Sequence, residues 1–289
     1  HKMHTIDSPF FFCFSIEDTT TASSWIECYH EKHPMTRTDS RIWKMKLLDL
    51  FPSHFKLVVG SETGHDAAVP YYHYTEGLMS LAPWRVPDSG RYIDQQWFEP
   101  DIPVYIKTHQ LGHSKRLPLY ELVYHDCTTS YWYWGDYNNK IPSLWDKRDL
   151  FNVLYGTPPM FLFNATGWTT YKTRFVQSYQ NTIPYVRRVG YSEMISHRFL
   201  TENRDLQQTV FYSAEDNKWI SITVNFGTSG SETATDGSIT VNAMSYNVQE
   251  TDYNPLLLPS ATISGGFAFE FHHSLSIFLH IITSIIIIN

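Results

Sequence analysis

Two carboxylic acids stand just beyond two short apolar runs of this sequence. The run Phe10–Phe14 leads to Asp18, and the run Leu57–Val59 leads to Glu62, with a segment typical of one helix between them. Parallel strands end at the same edge of a sheet, so this strand–helix–strand pattern would present both acids to one substrate. Two carboxylates on adjacent strand ends are the reacting groups of a glycoside hydrolase.

A retaining mechanism gives the two acids different tasks. One attacks the anomeric carbon, and the other protonates the leaving oxygen and then activates water. The carboxyl groups must lie about 5–5.5 Å apart, and neighbouring strands lie about 4.8 Å apart. We therefore predict that Asp18 is the nucleophile and that Glu62, the longer side chain, is the acid/base. The alternative is that Asp18 caps a loop and Glu62 is a surface acid.

Two His-Asp pairs also follow predicted strand ends. They are His65-Asp66 and His125-Asp126, and we expect all four side chains to contact sugar hydroxyls. A metal-dependent hydrolase that uses both pairs is an alternative, although no HxH or HExxH motif accompanies them. The three cysteines form no CxxC pair, so we expect no structural metal and no cofactor.

An aromatic loop, TTSYWYWGDYNNK, follows the second His-Asp pair and predicts a sugar subsite. Aromatic residues make up 16% of the chain, and their rings offer large flat apolar faces for packing against a ligand. We predict substrate contacts from Trp134, Asp136 and Tyr137, and from Glu121 in the preceding predicted strand. The alternatives are a packed loop and an outward-facing Glu121.

The composition argues against two other kinds of partner. The net charge is −7 and no Lys/Arg run occurs, which disfavours nucleic acid. The tail Leu275–Ile288 is strongly apolar, but a membrane-spanning helix needs about 20 residues. We interpret the tail as read-through of a wrongly assigned exon. The alternatives are a short anchor and a lipid-anchor signal. Secretion is plausible for a full-length protein.

The hydrophobic pattern predicts βα units first and antiparallel strands later. We expect strands at Phe10–Ser15, Phe55–Gly60, Leu117–Tyr124 and Met160–Phe163. Helices are expected at Asp39–Phe51, with a narrow apolar stripe that Pro52 stops, and at Asp146–Tyr155, which Gly156 closes. Further helices are expected at Thr75–Leu81 and Trp168–Val189. From about residue 207 the period changes to two, which predicts a hairpin of Gln208–Tyr212 and Trp219–Asn225 and a further strand at Ser238–Val248.

We therefore predict an α/β fold made of half a barrel and a small β-domain. Residues 1–205 would form the second half of a (β/α)8 TIM-type barrel, because four βα units do not close a barrel. Residues 206–270 would form a small antiparallel β-sandwich-like domain, followed by the apolar tail at 271–289. An open sheet is the alternative for the first part.

Several long motifs support this interpretation. The segments at 27–37, 56–72, 76–91, 117–140 and 149–161, among them KLVVGSETGHDAAVPYY and EGLMSLAPWRVPDSGR, resemble a mostly uncharacterised family of predicted glycoside hydrolases. That family is similar to the endo-α-N-acetylgalactosaminidase and α-N-acetylgalactosaminidase group of retaining enzymes.

The resemblance implies a (β/α)8 barrel followed by β-sandwich material. It also implies an Asp nucleophile after the fourth strand and a Glu acid/base after the fifth, which correspond to Asp18 and Glu62 here. We predict hydrolysis of α-linked glycosides, including α-N-acetylgalactosaminides, by a chain that resembles a fragment. The alternative is a non-catalytic carbohydrate-binding remnant.

Overall fold

The structure is a computed structural model that describes residues 14–17, 19–80 and 85–254. The described chain is a mixed α/β fold. Its α-helices are α1 Arg37–His54, α2 Glu121–Tyr124, α3 Trp145–Tyr155 and α4 Ala165–Val189. Its strands are β1 Phe14–Glu17, β2 Val58–Glu62, β3 Tyr74–Glu76, β4 Thr129–Ser130, β5 Glu193–Phe199, β6 Leu206–Ser213, β7 Lys218–Asn225, β8 Ser231–Thr233, β9 Thr240–Asn242 and β10 Ser245–Asp252.

The first four strands form a parallel sheet in the order β1-β2-β3-β4. Because all four run in one direction, their carboxyl ends lie along one edge of the sheet. Helix α1 connects β1 to β2, as the sequence pattern predicted. The described part of the chain therefore contains the strand–helix–strand unit on which the two-carboxylate hypothesis depends.

Helix α1 begins at Arg37, two residues before the predicted start at Asp39. Thr36 is its N-cap and forms a capping box with Asp39, which satisfies two backbone amides that the first turn leaves without partners. Met45 and Leu48 are buried against Val59 of β2, so one face of the helix covers the sheet. Pro52, the predicted stop, lies inside the last turn.

The sequence pattern was wrong about two segments around β3. The helix predicted at Thr75–Leu81 is a strand, β3, followed by a short 3-10 helix at Leu78–Ser80. The strand predicted at Leu117–Tyr124 contains helix α2 instead. Its apolar residues are not a buried strand, since Leu119 and Val123 are exposed.

The later strands form an antiparallel sheet in the order β10-β7-β6-β5. The predicted hairpin is confirmed as β6 and β7. The strand expected at Ser238–Val248 is two strands, β9 and β10, and β5 was not predicted. Met160–Phe163 is not a strand. The antiparallel sheet begins with β5, before the boundary placed at 205, and the two-domain division remains a prediction.

Helix α3 packs against β6 and β7 of the antiparallel sheet. It ends at Gly156 in the left-handed conformation, as predicted. Its Phe151 and Leu154 belong to one buried cluster with Tyr74 of β3 and with Phe211 and Ile220 of the antiparallel sheet. Within residues 14–17, 19–80 and 85–254, no helix is both long enough and apolar enough to cross a membrane.

Candidate active site

Two glutamates end neighbouring parallel strands. Glu62 is the last residue of β2 and Glu76 is the last residue of β3, and the two are directly paired across the strands. Directly paired residues lie about 4.8 Å apart in the direction of the hydrogen bonds. The carboxyl edge of the sheet therefore holds a pair of carboxylic acids, one of which the sequence did not indicate.

Both side chains lie on the same face of the sheet. Directly paired residues of neighbouring strands share a face, and side chains alternate along a strand with a period of two. Two residues earlier, Gly60 is paired with Tyr74, and a Cβ on Gly60 would overlap the Tyr74 ring at 2.1 Å. Gly60 thus leaves room for the ring beneath the two acids. Glu76 is 9% exposed, whereas Glu62 is half-buried.

Tyr133, which follows β4, lies beside Glu62 and is influenced by the charge of Glu76. Its phenol makes a hydrogen bond with Glu62. Gly77 has a positive φ of 97°, and a Cβ there would lie 3.1 Å from the Tyr133 ring, so glycine allows the ring to approach the end of β3. Burial raises the pKa of the Tyr133 phenol, and the negative charges of Glu62 and Glu76 raise it further.

A cation and a second aromatic pair extend this edge. The guanidinium carbon of Arg85 lies 3.8 Å from the centre of the Tyr133 ring, a cation–π contact. Its positive charge lowers the pKa of the Tyr133 phenol, in opposition to the two acids. Trp134 is half-buried and meets Tyr137 edge to face, with ring centres 6.4 Å apart. The aromatic loop therefore lies at the same edge as Glu62.

Asp18 lies outside the described residues. The backbone of Glu17 is described, and it is paired with Ser61 on β2. The carboxyl end of β1 therefore lies next to the carboxyl end of β2. Thr21, three residues after Asp18, donates its hydroxyl to the backbone oxygen of Glu62 at 2.6 Å, so the chain that leaves β1 stays against the end of β2.

The first His-Asp pair lies three residues after Glu62. The His65 ring is half-buried and meets Trp25 edge to face at 5.5 Å. Burial lowers the pKa of His65, and the negative charge of Asp66 opposes that shift. Asp66 is exposed and begins a 3-10 helix.

The second His-Asp pair and Glu121 lie elsewhere in the structure. His125 is buried and its two ring nitrogens bond to the backbone oxygens of Ser192 and Gly156, at 2.7 and 3.3 Å. Glu121 is buried near the guanidinium of Arg116. Asp126 is exposed at the end of this segment. His125 thus joins helix α3 to β5.

Asp136 lies in the interior, away from solvent. It forms an ion pair with Arg148, and neither side chain has any exposed area. Its second carboxylate oxygen accepts a hydrogen bond from Gln110. Tyr137 is likewise 1% exposed. Asp136 and Tyr137 therefore support the aromatic loop from the protein interior. Of the three residues predicted there to contact sugar, Trp134 is the one with accessible surface.

The metal alternative has no ligand cluster among the residues that the structure describes. Within those ranges, no three or more His, Cys, Asp or Glu side chains come together in a way that could hold a metal ion. His65 and His125 lie on separate segments, one after β2 and one after helix α2.

Comparison with known proteins identifies the family of this chain. Residues 11–210 match the family described as glycosyl hydrolases related to the GH101 family, GH129. The chain belongs to the GH129 family. This confirms the resemblance inferred from the motifs. No curated protein matches the chain.

The fold is also similar to solved structures of the alpha-N-acetylgalactosaminidase NagBb from Bifidobacterium bifidum. In its GalNAc complex the identity is 21%, with 83% of this chain and 31% of that chain covered and a TM-score of 0.50. In its Gal-NHAc-DNJ complex the identity is 19%, with 83% and 32% covered and a TM-score of 0.50. The GH129 chain described here thus spans about a third of the length of those structures.

Glu76, Tyr133 and Arg85 were missed by the sequence analysis. One signal was present: the chain reads YTEG at 74–77, with a glutamate shortly before a glycine, as it reads SETG at 61–64. A three-residue strand shows too little of its period to be distinguished from a helix.

Proposed function

We propose that this GH129 chain hydrolyses α-linked N-acetylgalactosaminides with net retention, with Asp18 as nucleophile and Glu62 as acid/base. The observation that carries the proposal is the parallel pairing of β1 with β2. It brings the carboxyl ends of the two strands together in a chain from a family of glycosyl hydrolases. Similarity to the fold of an alpha-N-acetylgalactosaminidase supports the choice of sugar.

The proposed reaction has two steps. In the first, the Asp18 carboxylate attacks the anomeric carbon while the bond to the leaving oxygen breaks, and Glu62 transfers its proton to that oxygen. In the second, the Glu62 carboxylate takes a proton from water, whose oxygen displaces Asp18 from the anomeric carbon. The hydrogen bond from Tyr133 orients the Glu62 carboxyl group in both steps.

The proposed sugar contacts are His65, Asp66 and Trp134. They lie on the segments that follow β2 and β4, at the edge where Glu62 is found. Contacts inside the protein, described above, already involve Glu121, His125, Asp136 and Tyr137. Asp126 follows helix α2 and not a strand of the parallel sheet. We therefore give those five residues no part in binding.

We also propose that the parallel sheet is part of a (β/α)8 barrel and that the antiparallel strands belong to a β-sandwich-like domain. The four parallel strands and the crossover helix α1 support the first part. The sheet β10-β7-β6-β5 and the ribbon of β8 and β9 support the second. By this proposal, the chain corresponds to a fragment of a larger enzyme.

A second candidate is a carbohydrate-binding remnant without turnover. It is favoured by the size of the parallel sheet, which has four strands in the described residues, whereas a closed barrel of this type has eight. Such a remnant would keep Trp134 and the edge of the sheet but would lack groups that complete the site.

Hydrolysis of an aryl α-N-acetylgalactosaminide tests the proposal. We expect turnover by the wild-type chain and a loss of about 10²–10⁴-fold in Glu62→Gln, the range for a general acid/base. Asp18→Ala should recover activity with azide and yield the glycosyl azide of inverted anomeric configuration. Full turnover by Asp18→Asn would refute the role of that residue.

Calorimetry with N-acetylgalactosamine separates the two candidates. Binding together with turnover supports the enzyme, and binding without turnover supports the remnant. Glu202→Gln, an exposed residue between β5 and β6, makes the same chemical change as Glu62→Gln far from the parallel sheet and serves as the matched control.

A further inference from the structure

We propose that Glu76 is a positioning residue whose carboxylate keeps the proton on Glu62. This inference rests on the proposed role of Glu62 as the acid and adds a residue to it. A general acid must hold its proton at the pH of the reaction. An isolated glutamic acid loses its proton well below neutral pH, so some feature of the site must favour the protonated form.

The strand register supplies that feature. Glu62 and Glu76 are directly paired in β2 and β3, and directly paired residues project from the same face. Two carboxylates that project from one face at directly paired positions repel each other when both are ionised, so the pair retains one proton to a higher pH than either acid alone. Because Glu76 is 9% exposed, water screens this repulsion poorly.

Several other groups face the pair from the elements around it. Tyr133 approaches from the segment after β4 and hydrogen-bonds Glu62. Arg85 lies over the Tyr133 ring with its guanidinium carbon 3.8 Å from the ring centre. Burial raises the phenol pKa of Tyr74 on β3 and of Tyr137 beyond Trp134, and the negative charge of Glu76 raises each further.

These groups act on Glu62 in opposite directions. A phenol that donates to a carboxylate stabilises the ionised form, and a nearby guanidinium does the same. Among the described groups named here, Glu76 is the one whose charge favours protonation of Glu62; the proposed nucleophile Asp18, which lies outside the described residues, would act in the same direction. Two conservative substitutions, Glu76→Gln and Tyr133→Phe, should therefore shift the titration of Glu62 in opposite directions.

The expected shift follows from Coulomb's law. Two unit charges at the strand spacing of about 5 Å, at an effective dielectric constant between about 20 and 80, change a titration midpoint by about 0.6–2.4 pH units. Glu76→Gln should therefore lower the titration midpoint of Glu62 by that amount. Tyr133→Phe should raise it, because Glu62 loses a hydrogen bond that favours its ionised form.

The test is a direct titration that does not require turnover. The full chain is labelled with ¹³C at the glutamate carboxyl carbon, and the resonances of the two acids are assigned with Glu62→Gln and Glu76→Gln. The carbon shift of Glu62 is then followed against pH in the wild type, Glu76→Gln and Tyr133→Phe. Glu202→Gln is the control and should leave the titration of Glu62 unchanged.

The reciprocal experiment covers the case in which Glu76→Gln does not fold. Coupling between two acids acts on both, so Glu62→Gln should lower the titration midpoint of Glu76 by a similar amount. An unchanged midpoint for Glu62 in folded Glu76→Gln, or for Glu76 in Glu62→Gln, overturns the proposal. Such a result would leave Glu76 as a structural side chain at the end of β3.

Activity measurements separate this inference from the proposed function. If the chain hydrolyses the aryl glycoside, the basic limb of its pH profile should move to lower pH in Glu76→Gln and to higher pH in Tyr133→Phe. A purely structural effect of either substitution would reduce kcat without these opposite movements. If no hydrolysis occurs, the proposed function fails, while the carboxyl titration still decides whether Glu76 controls the proton on Glu62.

Discussion

The buried ion pair of Asp136 and Arg148 offers a sharp test of whether a predicted sugar contact is structural. Both side chains are fully buried. One oxygen of Asp136 accepts from Arg148 and the other accepts from Gln110. In Asp136→Asn, one of these oxygens becomes an amide group that donates, so in either orientation a donor faces a donor.

The cost of this substitution can be estimated from the geometry. Arg148 would keep its hydrogen bonds to the backbone oxygens of residues 136 and 137 but would lose its counter-ion. Removing one partner of a buried ion pair costs about 3–5 kcal/mol. Domains of ordinary stability unfold with about 5–15 kcal/mol, so Asp136→Asn should remove a large part of the total. The melting temperature should fall by about 6–20 °C.

Urea unfolding followed by tryptophan fluorescence measures this effect. The control is Asp252→Asn, an exposed aspartate at the end of β10, which should change the free energy of unfolding by less than about 0.5 kcal/mol. Equal stabilities of Asp136→Asn and the control would contradict the buried ion pair. If Asp136→Asn were fully stable and only weakened sugar binding, the original interpretation of Asp136 as a sugar contact would be restored.

Three further predictions concern titrating groups. Burial raises the pKa of Asp149 to about 7, so the folded state keeps a proton that the unfolded state releases. As the pH rises from about 4 to 7, the free energy of unfolding should therefore fall. Asp149→Asn should remove this fall, and an unchanged dependence on pH in that variant would contradict the prediction. Burial lowers the pKa of His197 to about 4. The contribution of this residue to the free energy of unfolding therefore rises with pH between about 4 and 6.5. Acidification removes this contribution to stability. If His197→Asn loses as much stability on acidification as the wild type, the prediction is wrong. Burial raises the pKa of the Cys127 thiol, and the negative charge of Asp126 raises it further, to about 11. Iodoacetamide should therefore alkylate Cys127 at pH 8 more slowly than free cysteine, and Asp126→Asn should increase the rate. A rate equal to that of free cysteine would show that the thiol is not perturbed.

The elements that the sequence predicted well are those whose signals are local. Helix α3 ends at Gly156 because a left-handed residue is needed there, and glycine adopts that conformation at little cost. The hairpin of β6 and β7 is visible because eight-residue strands show their period of two. The narrow apolar stripe of α1 located the helix, although the capping box at Thr36 marks its start more closely.

The errors around β3 and α2 share one physical cause, which is that very short elements are defined by their neighbours. Strand β3 has three residues, and hydrogen bonds to β2 and β4 rather than any periodicity make it a strand. The apolar residues of 117–124 suggested a strand, but that segment is covered on one side only, and Leu119 and Val123 remain exposed.

By itself, the sequence determined the family, the mixed α/β class and the choice of Glu62 as a candidate acid, because long motifs and a glutamate after an apolar run are features of the chain alone. Tertiary structure decided which groups surround that acid. It placed Glu76 opposite Glu62 and Tyr133 beside it, and it buried Asp136 against Arg148. Strand register and burial arise from contacts between residues distant in sequence, so no local pattern encodes them.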